Sequence, residues 1–465
     1  MIGLDKLRSV AVRILMPVVV LLASQAALAQ TPAPAWDFAP LFRYNLENVL
    51  VNTTTAGTWN VKVIFSVSQP ATGEVWDIKA ALPFQTAGAA LTMNIGWDPS
   101  GDITNTGSTS ALLTPVVTTA LGTGAAVPVQ IRNLQSPTTG ANRCTTTVEC
   151  PGVADFFNRF WVEKTVTPVR FTRNVVMGRI AIEGRPVCNG LTGCPPGPPY
   201  ANIPVRSEVV DFEFRSVATP TTAMVPDQRR VIVDLETKCK KCHNGRSVDR
   251  NGQPIPRLSL HGGNRNENLR LCVMCHNPNQ TDVPYRLITT DARTSGPETP
   301  LDMKVMIHSI HSGGFRDRPF VVIGFNSSIN DFSDVRFPAT LSNCLNCHVQ
   351  SDGRGTFELP MANSALGTTV RTGSTYAVPA GSTRTISVNP FDDLKITPTA
   401  ATCSGCHDKS EVRSHMIREG GASFSTQQQN IGATVKERCV TCHGPGKQKD
   451  VRRVHEISST EGFYH

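Results

Sequence analysis

Two domains of unlike construction are predicted for this chain. Residues 30–230 read as an all-β domain, a sandwich or barrel, and residues 231–465 as a domain with only sparse, short helices. Three observations carry that prediction. Apolar residues alternate with polar or small ones in several N-terminal runs, the period of a strand with one buried face. All 11 His of the 465 residues lie beyond residue 230. The motif Cys-x-x-Cys-His occurs five times between residues 239 and 443.

Taken in order, residues 1–29 read as an export signal. Lys6, Arg8 and Arg13 make its basic start, and the apolar run from Ile14 to Ala23 is too short to span a bilayer. Ala27-Leu28-Ala29 offers a small-x-small cleavage site, so Gln30 is the expected mature N-terminus. No Cys follows that site, so no lipid anchor on an N-terminal Cys is expected. No other long apolar run occurs, and the mature chain is expected to be soluble.

The β domain is written in alternation. Val61, Val63, Phe65 and Val67 form one such run, Leu91, Met93 and Ile95 a second, and Val210, Phe212 and Phe214 a third. Pro, Gly, Thr and Asn break these runs at short intervals, as turns of a sandwich or barrel do. Gly101 to Gly124, poor in charge and rich in Thr, Ser and Gly, reads as a surface loop, and Asp155 to Trp161 as a short helix. Four of the 14 Cys fall here as Cys144, Cys150, Cys188 and Cys194. Export into an oxidising compartment makes two disulfides the default. Local pairing is the simple reading, and cross-pairing between the two loops stays open.

The other ten Cys form Cys239-Lys-Lys-Cys242-His243, Cys272-Val-Met-Cys275-His276, Cys344-Leu-Asn-Cys347-His348, Cys403-Ser-Gly-Cys406-His407 and Cys439-Val-Thr-Cys442-His443. This is the attachment pattern of haem c. Two thiols become thioethers to the porphyrin, and the adjacent His reaches the iron. Zinc also uses Cys-x-x-Cys pairs, but it takes ligands in fours, and five copies do not divide into such sets. Five covalently attached haems within 205 residues leave too little chain to wrap each in its own core. The haems must pack on one another, joined by short helices and irregular loops. Two helices are legible, Pro300 to His311 before Gly313-Gly314, and Cys403 to Glu419 before Gly420-Gly421. The motif-free stretch from Val349 to Cys403 is expected to cover the stack with some strand content.

Six His remain for the second axial positions: His261, His308, His311, His415, His455 and His465. Imidazole suits iron, and five irons need five such ligands. His308 and His311 sit three apart on a predicted helix, a spacing that lets one helix serve two neighbouring irons. His415 is expected to reach a haem other than that of His407, and His465 is the spare. Met274, Met303 and Met306 are the alternatives, and axial Met would raise a haem potential. Which second His serves which iron is not legible. Six-coordinate irons disfavour chemistry at the metal and leave electron movement between macrocycles. No phosphate-binding Gly-rich loop or nucleophile elbow suggests an enzyme. The net charge of +8 falls to +6 without the signal, which carries three basic residues and Asp5. It reads as partial neutralisation of haem propionates, and no basic run interleaved with aromatics suggests nucleic acid.

These motifs resemble the outer-membrane multihaem cytochromes of metal-reducing bacteria, the OmcA/MtrC family. The likeness includes Leu258-Ser-Leu-His261-Gly-Gly-Asn-Arg, Met306-Ile-His308-Ser-Ile-His311, Ser342-Asn-Cys344, Cys442-His443-Gly-Pro-Gly-Lys and Val454-His455. In the β half it includes Ile95-Gly-Trp97, Asn105-Thr-Gly107-Ser and Ile182-Glu-Gly184. The resemblance implies a Greek-key split barrel beside a pentahaem domain of bis-His haems. It implies a conduit from an outer-membrane porin-cytochrome complex to minerals, soluble metals or flavins, with flavin as a transient partner. Typical members have two such modules and ten haems, whereas this chain has one of each module and five motifs. The expected function is therefore extracellular electron transfer with other redox proteins, at the outer-membrane surface or beyond it, with the periplasm as an alternative. Two rivals are a subunit of a haem-lined homopolymeric filament and a multihaem reductase with an open iron.

Overall fold

A computed structural model of the chain describes residues 32–55, 58–98, 128–166, 176–227, 231–286, 297–351, 353–361, 365–373 and 392–457. The expected export signal, the loop at 101–124 and His465 lie outside these residues. The chain is mostly β-sheet with a few short helices. Ten strands build the N-terminal part: β1 (Arg43–Thr55), β2 (Thr58–Ser68), β3 (Ala90–Asp98), β4 (Val129–Ile131), β5 (Asn142–Arg143), β6 (Phe160–Val166), β7 (Val176–Arg185), β8 (Glu208–Phe214), β9 (Thr221–Thr222) and β10 (Met224–Val225). They form two five-stranded antiparallel sheets of order β5-β6-β2-β1-β9 and β10-β8-β7-β3-β4.

The alternation decides which side chains meet between the sheets. Val61, Val63, Phe65 and Val67 of β2 face Leu91, Met93 and Ile95 of β3, Ile180 and Ile182 of β7, and Phe212 and Phe214 of β8 in one buried cluster. The segment 221–225 stitches the sheets together. β9 pairs with β1, β10 pairs with β8, and the N–H of Ala223 between them donates to Val49 O at 2.9 Å. Cys144 is bonded to Cys150 and Cys188 to Cys194, so both disulfides are local staples.

One short helix expected here is not a helix. Asp155 to Arg159 form a turn in which the Asp155 carboxylate accepts from Phe157 N and Asn158 is left-handed at φ 51°. Phe160 and Trp161 then start β6, paired with Phe65 and Ile64 of β2. Pairing with a strand about 100 residues earlier in the chain overrides the local pattern.

β7 and β8 bury both faces. Their second face carries Arg179, Ala181 and Glu183 from β7 with Val209 and Asp211 from β8, at alternate positions to the core residues. Arg179 and Asp211 form a two-fold ion pair at 2.7 and 3.1 Å, almost fully buried. Against this face lies the start of the motif-bearing part. Leu271 and Met274 pack on Ala181 and Val209.

From residue 231 onward the elements are short. α2 (Leu269–Cys275), α3 (Met303–His311), α4 (Pro398–Cys403), α5 (Ser410–Arg418), α6 (Val440–His443) and α7 (Val451–Val454) follow the earlier single turn α1 (Leu82–Gln85). Two-stranded ribbons lie between them, β11 (Ser259–Leu260) with β12 (Arg265–Asn266), β13 (Val321–Ile323) with β14 (Ile329–Asp331), β15 (Gln350–Ser351) with β16 (Arg354–Gly355), and β17 (Thr368–Arg371) with β18 (Leu394–Ile396). The stretch between the third and fourth motifs thus does hold strands. Apolar burial is thin: Val305, Ile396, Ala400, Ala401, Met416 and Ala422 form the small cluster under α3, α4 and α5.

The helix expected from Cys403 to Glu419 is two helices. α4 begins at Pro398, a residue whose fixed φ suits a first turn, and α5 begins at Ser410. Between them the Asp408 carboxylate accepts from the backbone N–H groups of Asp317 and Arg318 at 3.2 and 2.9 Å. That tertiary commitment stops the first helix from running on.

Candidate functional site: five histidine pairs

Each Cys-x-x-Cys-His segment folds into the same single turn. The N–H of the motif His donates to the carbonyl of the first Cys in all five copies, His243 to Cys239, His276 to Cys272, His348 to Cys344, His407 to Cys403 and His443 to Cys439, at 2.8–2.9 Å. One i to i−4 closure puts the two Cys, three apart, on one face and sends the His along the same side. The geometry therefore repeats whether the motif sits in an α-helix, as at Cys272, or in a 3₁₀ turn, as at Cys239 and Cys344.

The other five His come from separate elements. His261 sits in the turn between β11 and β12, His308 and His311 on α3, His415 on α5, and His455 at the C-terminal end of α7. Every one of them faces a motif His. Ring centroids are 6.1 Å apart for His243 and His311, 5.9 Å for His276 and His261, and 6.0 Å for His348 and His308. They are 5.8 Å apart for His407 and His455 and 6.2 Å for His443 and His415. A nitrogen sits about 2 Å from a bound metal and about 1.1 Å from its ring centre, so two imidazoles across one metal have centroids roughly 6.3 Å apart. The five pairs fit a group held between two imidazoles and tethered by two neighbouring thiols, which is the donor set of a bis-His haem c. A tetrahedral zinc site needs four ligands converging on one point; these side chains instead meet in twos.

Hydrogen bonding fixes the nitrogen that seven of the ten rings present. The Nδ1–H of His308 donates to Lys304 O at 2.6 Å, that of His311 to Ile307 O at 2.9 Å and that of His455 to Val451 O at 2.9 Å, each one helical turn back. His243 donates to Pro256 O, His276 to Leu301 O and His443 to Lys449 O at 2.8–3.1 Å. His348 donates to the Thr356 hydroxyl at 3.2 Å, which itself donates to Ile232 O at 2.5 Å. A carbonyl can only accept, so Nδ1 carries the proton and Nε2 keeps its lone pair for a metal.

Electrostatics agree with neutral imidazoles. Burial holds His261 and His348 down to about 3 and His276 and His311 down to about 4, and it lowers His308 and His407 as well. Burial pushes the thiols the other way, to about 11 at Cys239, Cys344 and Cys439 and about 12 at Cys272, Cys347 and Cys403. A thiolate is the reactive and metal-binding form, and these sites disfavour it.

Contacts between motifs give the pairs an order. Lys240 of the first motif is ion-paired at 2.6 Å with Glu267, just past the hairpin that carries His261. The first and third motifs are joined by Lys238 Nζ to Leu345 O at 2.9 Å and by Val349 N to Ile232 O at 3.1 Å. The fourth lies on α3, where the Ser312 hydroxyl donates to Gly405 O at 2.9 Å. The fifth follows through Glu437, whose carboxylate accepts from Thr399 N and Ala400 N at the start of α4, both at 2.8 Å. The sites thus run second, first, third, fourth, fifth. Among the Met alternatives, Met274 is fully buried against β7 and β8.

The sequence names the ten His whose rings face one another in the structure, but neither their pairing nor the Thr356 hydroxyl behind His348 is legible in it. It also missed the charged second face of β7. Alternation between Ile180, Ile182 and Arg179, Glu183 was a signal for that face, had both sides been taken as buried.

The family model described as outer membrane cytochrome MtrC/MtrF-like, domains II/IV, matches residues 230–456. Among solved structures, MtrC from Shewanella baltica OS185 is similar at 14% identity over 88% of this chain and 52% of that one, with a TM-score of 0.45. The outer membrane decaheme cytochrome OmcA is similar at 16% identity over 90% of this chain and 48% of that one, with a TM-score of 0.40. The chain spans about half the length of each. No curated protein matches it. Among the described residues no helix is long and apolar enough to cross a membrane.

Proposed function

We propose, for a chain that belongs through its residues 230–456 to the OmcA/MtrC family of outer membrane cytochromes, that it moves electrons through five covalently attached haems, each held by two histidines. The domain at 231–465 is the conductor and the β domain at 30–230 its support. The observation that carries the reading is the set of five facing His pairs, each made of one motif His and one other, at 5.8–6.2 Å.

Haem c supplies a one-electron couple at each site. The protein's own residues do the rest. The ten motif Cys, Cys239 through Cys442, tether the groups and set their spacing along the chain. His243 with His311, His276 with His261, His348 with His308, His407 with His455, and His443 with His415 hold the five irons. Two imidazoles per iron leave no position for a substrate, which favours outer-sphere transfer over bond-making at metal.

The order of contacts supports a path from the second site through the first, third and fourth to the fifth. The fifth site is the open end. Cys442 is exposed while the other nine motif Cys are partly buried, so exchange with a partner is expected there. Acceptors of this outer-sphere kind are extracellular metals, metal oxides and flavins, and the donor is a redox protein such as a porin-cytochrome complex of the outer membrane.

The test is the number of groups attached. The exported protein should give five haems per chain by alkaline pyridine haemochrome, and a mass that does not drop on acid–acetone extraction. Extractable haem, or a count other than five, contradicts the proposal.

A further inference from the structure

The second site is clamped by the β domain. The hairpin of β11 and β12 presents His261 in a turn of three consecutive left-handed residues, His261 at φ 54°, Gly262 at 72° and Gly263 at 84°. Only Gly adopts such angles without strain, so outside contacts must hold the turn. They come from β7 and its surroundings: Gly184 N donates to Asn264 O and Ser207 N to Asn266 O, both at 3.0 Å, and the Arg185 guanidinium donates to Gly262 O. On the motif side, the Arg270 side chain of α2 donates to Val209 O at 3.0 Å and pairs with Asp211 at 3.0 Å.

One ion pair stands at the centre of this clamp. Arg265 lies across the hairpin from Leu260, the neighbour of His261. Its guanidinium makes a two-fold contact with the Glu183 carboxylate of β7, at 2.7 and 3.3 Å. Glu183 is only 3% exposed, and the pair is therefore little screened by water. Arg265 thus lies beside the turn that carries His261, and Glu183 shares its face of β7 and β8 with Ala181 and Val209, on which Leu271 and Met274, the neighbours of Cys272 and Cys275, are seated.

We propose that Arg265 is a positioning residue that raises the reduction potential of the group held by Cys272, Cys275, His261 and His276, and that Glu183, reaching in from the β domain, lowers it. The inference rests on the haem reading above. The oxidised iron carries one more positive charge than the reduced one, so a nearby cation favours reduction and a nearby anion opposes it. The other charges around the site include Asp302 beside His276, Arg270 with Asp211 and Asp227, Arg185 in the hairpin clamp and Lys240 with Glu267 and Glu236. None of them is removed by the substitutions below. The β domain thereby sets the potential of the site at the end of the path opposite the fifth site.

The test uses the full-length holoprotein in three variants, Arg265→Gln, Glu183→Gln and Arg265→Lys, in potentiometric titrations followed at the haem α-band. Arg265→Gln should lower one of five components, Glu183→Gln should raise one of five, and Arg265→Lys should leave that component near its original potential. A merely structural role would shift both neutral variants in the same direction, through loosened packing, and that result, or no shift, overturns the proposal. If Arg265→Gln yields no holoprotein, the other two variants decide: a rise in Glu183→Gln supports it and no rise overturns it. The unmodified protein separates the two claims. If it lacks five low-spin haems, the haem reading itself fails, whereas five low-spin haems without opposing shifts refute only this inference.

Discussion

A ring that donates from Nδ1 to a carbonyl has a defined free nitrogen, and a ring three residues further along the same helix has another. His308 and His311 use this on α3, each bonded one turn back, yet they face different partners, His348 and His243. Single substitutions should therefore act on different sites. His311→Ala should open the iron held by His243, and His308→Ala the iron held by His348. Each variant should keep five attached haems while one fifth of the low-spin absorbance converts to high spin, and the double variant should convert two fifths. Identical single-variant spectra that do not add in the double variant would refute the separate pairing. The candidate residues were legible because five Cys-x-x-Cys-His motifs and six further His are written in the sequence. Pairing was not, because facing partners lie between 15 and 68 positions apart along the chain, and loop geometry alone decides which rings meet.

Elements in the motif-bearing part are held by close backbone approaches more than by apolar area. The fourth motif rests on α3 with Gly405 at the contact, where an added Cβ would lie 2.6 Å from His308 Cβ and 3.2 Å from Thr402 O. Neither is the end of a flexible side chain, so one of the two elements must shift. Gly405→Ala is expected to cost about 1–3 kcal/mol, the usual penalty of overpacking, and to disturb the third site as well as the fourth. Calorimetric unfolding measures the first effect and the low-spin spectrum the second. An unchanged midpoint and spectrum would show that the approach is looser than described. Strands β2, β3 and β8 and helix α3 were legible because each carries its own period. The turn at Asp155 and the break after α4 were not, since long-range pairing with β2 and the Asp408 contacts decide them.

At the scale of the molecule, the chain joins a β structure with a conventional apolar core to a part whose own core is small. In the proposed reading, the imidazoles that would bind iron would also fasten hairpin, helices and loops to one another. The β domain contributes the charged face of β7 and β8, on which the second motif is seated through Ala181, Val209, Leu271 and Met274. The onset of His beyond residue 230 suggests a division there, but the contact face between β7, β8 and the second motif is invisible in composition. Such a face has polar residues that look solvent-exposed until a second layer covers them.

Low-temperature electron paramagnetic resonance of the oxidised, intact protein distinguishes five irons each closed by two imidazoles from an arrangement with an open iron. Only low-spin ferric signals, integrating to five per chain with no axial signal near g = 6, are expected. A high-spin signal amounting to one iron or more per chain would contradict the account and point to a site open to substrate.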